Sequence, residues 1–202
     1  MEYFLLEIAP VESAQVQPSK VMSIIEKAVA KHTSQNTLRF KVFGENRVYL
    51  VAKEDEPEKI LEELNSSGGG AVRTTTTPIR LYEEFAQQVL GVDSSLCIPN
   101  KNSFSNPKKL FYVRLTVDYP GLEMEEFLKI FKAEAEAGFT ASKEGHLDFR
   151  PFKPIATRGV LLFFNVGKAE EIDNIVQTLP FARNRHTSSG FQFITVKQLK
   201  YF

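Results

Sequence analysis

His146, Asp148 and Arg150 are spaced two apart in the stretch Gly145-His146-Leu147-Asp148-Phe149-Arg150. On a β-strand that period puts all three side chains on one face. A histidine titrates near neutrality, so His146 could move a proton, Asp148 could orient or charge it, and Arg150 could hold a carboxylate or enolate oxygen. A base, a carboxylate that orients it and a cation that holds an oxyanion are parts from which a proton-transfer site can be built. Tyr112 and Arg114, on the polar side of a neighbouring strand, could add a hydrogen-bond donor and a second cation for substrate binding. The same alternation also describes an edge strand showing three polar groups to water, with Asp148 paired to an arginine.

A second cluster, Arg183, Arg185 and His186, follows Leu179-Pro180-Phe181. It suits a loop that covers a pocket and binds an anionic substrate, and equally a solvated basic loop. Other polar residues fit structural roles. Glu134 and Lys132 are assigned to the exposed flank of their helix, where i,i+4 pairing accounts for them. His32 ends a helix, where a cation favours the dipole. Gly68-Gly69-Gly70 lacks the Lys-Ser/Thr and the following helix of a phosphate loop. Cys97 is the single cysteine, with no histidine near it in sequence, so neither a disulfide framework nor a metal site is expected. The 17 phenylalanines, with no tryptophan beside them, supply a core and are compatible with a pocket for an apolar ring compound.

Charge narrows the partners. The chain has 25 basic and 25 acidic side chains, and residues 1–95 carry 10 of the former and 14 of the latter. That balance lacks the basic stripe a phosphate backbone requires, so no nucleic-acid partner is expected. No apolar run reaches the length of a membrane span. Met1-Glu2-Tyr3-Phe4 lacks the basic start of a signal peptide, and a cytoplasmic location is expected.

The elements that must position these residues occur twice, about 110 residues apart. Tyr3 to Ile8 and Leu110 to Val117 read as strands. Helices follow, with apolar stripes Val21, Ile24, Ile25, Ala28, Val29 and Met124, Phe127, Leu128, Phe131, Ala135, the second expected over about Glu123 to Ala137. Hairpins come next: Leu38 to Phe43 with Val48 to Ala52, and Leu147 to Phe152 with Val160 to Val166. Each copy ends with a second helix (Pro57 to Asn65; Ala169 to Leu179) and a last strand (Ala71 to Leu81; Phe191 to Leu199). This is an α+β chain of two tandem ferredoxin-like βαββαβ domains, over residues 1–91 and 110–202, joined by a polar linker at 92–109. Val160 to Val166 is apolar on both sides, so its sheet needs a second cover. The sheet of the other copy is the expected one, giving an internal pseudo-dimer; further homodimerisation stays open.

In the second copy, Leu115-Thr116-Val117 with Pro120, Glu126-Phe127, His146-Leu147 with Arg150, Val160 to Val166 and Leu179-Pro180-Phe181 resemble the muconolactone isomerases. That family belongs to the dimeric α+β barrel group, whose ferredoxin-like chains pair through their sheets. The resemblance covers about residues 110–182. The chain departs from the family where Asp148 and Phe149 separate Leu147 from Arg150, in the longer hairpin from Lys153 to Arg158, and in the polar insertion from Arg183 to Gly190. In the first copy Leu64-Asn65-Ser66 stands in place of Leu-Pro.

The resemblance implies an intramolecular proton shift that moves a double bond, without a cofactor. Two functions are expected from these observations. One is a cofactor-independent isomerase or cyclase acting on a small apolar or carboxylate-bearing carbonyl or lactone compound, with His146, Asp148 and Arg150 catalytic and Tyr112, Arg114, Arg183 and His186 binding substrate. The other is a non-catalytic small-molecule-binding or assembly protein on the same fold, which predicts a phenylalanine-filled pocket and His146 facing water. Haem or oxygen chemistry, hosted elsewhere in this superfamily, finds no histidine placed as an axial ligand.

Overall fold

The computed structural model describes residues 3–13, 15–34, 37–53, 55–98, 104, 108–117, 121–183 and 191–201, with residues 191–195 described by backbone alone. The fold is α+β with eight strands, antiparallel in every described pairing. Two compact units divide the chain: Met1–Ile79 with Leu199–Phe202, and Arg80–Gln198.

The first unit runs β1 (Tyr3–Pro10), α1 (Pro18–His32), β2 (Leu38–Val42), β3 (Val48–Lys53), α2 (Glu56–Gly68) and β4 (Val72–Leu81), whose last two residues pass into the second unit. The strands lie in the order β4-β1-β3-β2, with Leu6 opposite Leu50 on one side and Thr76 on the other. Val21, Ile25 and Val29 of α1 and Ile60 and Leu64 of α2 join Leu6, Ile8, Val48 and Leu50 in one buried cluster. The i, i+4 stripe on each helix and the period of two on the strands are what let those side chains meet. Helix α2 runs past the expected stop at Asn65, because the left-handed cap it needs is supplied only at Gly69 (φ 53°).

The second unit carries β5 (Lys109–Val117), α4 (Met124–Lys143), β6 (Phe149–Pro154), β7 (Gly159–Val166), α5 (Glu170–Thr178), a one-turn α6 (Pro180–Arg183) and β8 (Phe191–Tyr201). Its strand order, β8-β5-β7-β6, repeats the fourth-first-third-second order of the first unit and of the split βαβ fold. The last residues of β8 return to the first unit, where Tyr201 lies opposite Phe40. Leu161, Phe163 and Tyr112 are each 1 % exposed, so β5 and β7 are dry on the face away from the helices as well as on the face toward them.

Two boundaries differ from expectation. The second unit begins at Arg80, ahead of the expected break at residue 91, and α3 (Tyr82–Phe85) with the π-helical turn Ala86–Leu90 belongs to it. Tyr82, Ala86, Leu90, Val92 and Cys97 sit in the same cluster as Phe131 and Phe164, so the start of the expected linker is core rather than tether. Spaced apolar side chains anchor an otherwise polar stretch. Helix α4 continues to Lys143, beyond Ala137: Gly138 is tolerated in mid-helix, and the stop comes at Gly145 (φ 78°). There the amides of His146 and Leu147 both donate to the Ala141 carbonyl, at 2.9 and 3.1 Å.

One buried carboxylate joins the elements of the first unit. Glu56, 8 % exposed at the start of α2, accepts from the Lys53 amide at 2.8 Å through Oε2. Its Oε1 accepts from the Ser34 amide at 3.1 Å and the Thr37 hydroxyl at 3.3 Å. Removing it strands two backbone donors. Glu56→Ala should therefore cost about 2 to 3 kcal/mol by chemical denaturation; a loss below half a kcal/mol would mean the three bonds do not hold the β3–α2 junction.

Candidate functional site

The residues singled out from the sequence do not converge. His146 lies in the turn after α4 rather than on a strand, its side chain is 76 % exposed, and its nearest charged partner is Glu144 at 3.7 Å. The alternation His146–Asp148–Arg150 assumed a strand already formed at Leu147, but β6 begins at Phe149. Asp148 and Arg150 form a structural clasp. Arg150 Nη1 donates to Asp148 Oδ1 and to the Phe149 carbonyl, both at 2.8 Å, and its guanidinium stacks over Phe104 at 4.5 Å. Asn165 donates to Asp148 Oδ2 at 2.7 Å and accepts the Lys108 amide at 2.6 Å, which ties β6 to β7 and to the approach of β5. Tyr112 is buried against Phe163, ring centroids 5.3 Å apart, and Arg114 is half-buried opposite Leu161. Arg183 is exposed at the end of α6. His186 lies outside the described residues.

A different group faces a cavity. Between α4 and the sheet of the second unit lies a partly open cleft of about 60 Å³, with α5 along a third side. Its walls come from Phe131 and Gly138 of α4, from Leu115, Phe149 and Phe164 of the sheet, and from Tyr82 of α3. Leu115, Phe149 and Pro151 alternate with Arg114, Arg150 and Phe152, so the expected binding residues occupy the opposite face of the same strands. Glu134 lines this cleft and is 7 % exposed.

Local structure holds Glu134 in place. Pro180 opens the single turn of α6, and the Phe181 ring packs on Phe127 and Phe131 at 5.9 and 5.8 Å. That fixes the Phe181 amide, which donates to Glu134 Oε2 at 2.9 Å. Oε1 is buried with no hydrogen-bond partner among the described residues. Burial pushes the carboxyl up to about 7, with the Phe181 amide pulling partly the other way. The same burial, with Glu134 and Glu83 nearby, pushes the Tyr82 hydroxyl far above the ordinary phenol range, so it stays protonated. A carboxyl titrating near neutrality in an apolar cleft is a group able to take and return a proton. Cys97, whose thiol is raised first by burial and then by the Glu83, Asp93 and Glu136 carboxylates, does not line the cleft.

Gly138 keeps the cleft open. A Cβ added there would meet only Phe149 Cζ, at 3.5 Å, and a mid-helix glycine costs about 1 kcal/mol relative to alanine. The sequence carried a signal for this wall. Phe127, Phe131, Glu134 and Gly138 follow i, i+4, i+7, i+11, the inward stripe of α4, and Glu134 belongs to that stripe rather than to the flank.

No family model matches the chain, and no curated protein matches it. Solved structures do. A double mutant of the chlorite dismutase from Candidatus Nitrospira defluvii is 12 % identical, with a TM-score of 0.59 over 98 % of this chain and 91 % of that one. The same enzyme in complex with imidazole is 12 % identical, with a TM-score of 0.58 over the same shares, 98 % and 91 %. A putative chlorite dismutase is 8 % identical, with a TM-score of 0.57 over 100 % of this chain and 94 % of that one. At these identities the likeness shows the fold alone, an α+β fold that the chain shares with these chlorite dismutase structures. These structures are chlorite dismutases, and nothing in them supports the likeness to muconolactone isomerases read from Leu179-Pro180-Phe181.

Haem does not fit the described residues of the cleft. An axial ligand is normally His, Cys, Met or Tyr. Among the described residues Tyr82 is the only such side chain on the walls, and its hydroxyl is held protonated. His32 ends α1 in the first unit, 3.4 Å from Glu63, and His146 faces water. The room available is also far below that of a tetrapyrrole.

The buried carboxyl has a consequence for stability. It titrates near 7 when folded and near 4.5 when exposed, so between those values the folded state holds the extra proton. Stability from this group is complete below about pH 4.5 and is lost as pH rises to about 7, by on the order of 3 kcal/mol. Glu134→Gln keeps an acceptor for Phe181 and removes the titration. Denaturant unfolding should show the variant more stable than the parent at pH 8 and flatter between pH 5 and 8; parallel curves would contradict a buried, neutral-titrating Glu134.

Proposed function

We propose that the second unit is a cofactor-independent proton-transfer catalyst of the isomerase class, acting on a small carbonyl or lactone compound held in the α4 cleft. One observation carries this: Glu134, buried among aromatic walls with a free Oε1 and a carboxyl shifted to about 7. Its ionised form takes a proton from the carbon next to the carbonyl, breaking C–H, forming O–H and sending the electron pair to the carbonyl oxygen. Where the compound is β,γ-unsaturated, the acid so formed returns the proton to the γ-carbon of the dienolate, the electron pair on oxygen reforms the C=O, and the double bond moves into conjugation with no net redox change. Tyr82, on the same wall and held protonated, is the donor available to the enolate oxygen. The pairing of the two sheets expected from the sequence goes with this proposal, supported by β5 and β7 being buried on both faces.

A non-catalytic binding protein is the second reading, favoured by His146 facing water and by the phenylalanines lining the cleft. Deuterium exchange separates the two. Incubated with γ-butyrolactone or cyclopentanone in D₂O, the protein should speed exchange of the α-hydrogens, with a rate that rises through about pH 7 as Glu134 ionises. Glu134→Gln should abolish the catalysed rate and Tyr82→Phe should lower it by about 10²-fold, whereas His146→Ala should leave it unchanged. Exchange that survives Glu134→Gln, or is absent from the parent protein, removes the catalytic proposal in favour of binding alone.

A further inference from the structure

The walls of the cleft decide which carbonyl compounds can enter. Among the described residues its ionisable lining groups are Glu134 and Tyr82, both acids, and no described lysine, arginine or histidine lines it. The rest of the surface is aromatic and aliphatic carbon. A carboxylate placed there would lose its hydration, gain no cation and face a second carboxyl, all of which oppose binding. An uncharged ring incurs none of these costs and gains from leaving water. The cations expected to hold a carboxylate, Arg114 and Arg150, belong to the other face of their strands, and Arg150 is already committed to Asp148.

Size is set from α4. The cleft of about 60 Å³ is smaller than cavities known to take benzene, and it is open on one side. A five-membered ring with one carbonyl, close to benzene in volume, is therefore held only in part, with the rest of it at the open side. Gly138 faces Phe149 across this space, and the 3.5 Å to Phe149 Cζ is ordinary contact, so a methyl group there fits the helix while consuming the room.

We infer that the α4 cleft binds an uncharged cyclic ketone or lactone and rejects the carboxylate-bearing analogue, with Gly138 as the residue that sets its depth. This rests on the cleft being the substrate site of the proposed function. The preference for neutral ligands reverses the expectation of an anionic substrate drawn from Arg183 and His186. It also makes Gly138 a specificity-determining residue: it touches the ligand and takes no part in the proton transfer.

The test is an NMR titration of the full chain at pH 8 with two probes, cyclopentanone and cyclopentanecarboxylate. Cyclopentanone should shift the amides of α4 and β7 and bind at least about tenfold more tightly than the carboxylate. Glu134→Gln should keep cyclopentanone binding and narrow the gap by improving the carboxylate. Gly138→Ala should weaken cyclopentanone at least about fivefold while raising the melting temperature, since alanine is the better helix former and fills space. Equal affinity for the two probes, no binding of either, or cyclopentanone affinity untouched in Gly138→Ala would each overturn the inference. Selective binding without α-hydrogen exchange sustains the ligand class and refutes only the proton-transfer proposal; exchange by Glu134 together with equal binding of both probes does the reverse.

Discussion

Dehydrating a carboxyl is expensive, and the second unit is organised around one such group. The inward stripe of α4 brings Glu134 against phenylalanine rings, where its charged form has neither water nor a cation. A single amide, that of Phe181, partly offsets the cost, and it is in place because Pro180 starts a turn and the Phe181 ring is packed between Phe127 and Phe131. The remaining imbalance appears as a raised affinity for a proton. Structure and chemistry are therefore linked through desolvation: the aromatic packing that stabilises the unit is also what tunes the acid.

The two faces of the sheet in this unit divide the work. On the face away from the helices, Tyr112 and Phe163 pack together, and at the strand ends Asp148, Arg150 and Asn165 bind one another and the chain leading into β5. Those polar groups satisfy each other, leaving little capacity for a substrate. On the helix face the polar inventory shrinks to two acids in a carbon-lined cleft. The fold shared with chlorite dismutases does not dictate what such a cleft does.

Much of the architecture was legible because it rests on periodicity. Leu38, Phe40 and Val42 alternate as a half-buried strand and are buried, and the two-sided apolar run from Val160 to Val166 correctly called for cover on both faces. Leu179-Pro180-Phe181, read from the sequence as a family likeness, holds the amide that donates to Glu134. The expected alignment of His146 with Asp148 and Arg150 on one strand fails for a local reason. Gly145, in a left-handed conformation, turns the chain out of α4 so that His146 caps into solvent, and the period-two pattern does not begin until Phe149. Glu134 was assigned to the flank by its polarity, although its spacing from Phe127 and Phe131 placed it inward. Burial of a charge runs against the usual rule, and for that reason composition hides it. The early start of the second unit depends on Tyr82, Val92 and Cys97 docking far along the chain, which no local pattern records.

The central claim is that Glu134 titrates near neutrality inside the α4 cleft, and ¹³C NMR of the side-chain carboxyl carbons, with Glu134→Gln used for assignment, measures it directly. A midpoint near 7, moved by addition of cyclopentanone, is the result this structure predicts. A midpoint near the ordinary 4.5, unaffected by the ketone, would mean the carboxyl is solvated and the cleft is no site for proton transfer.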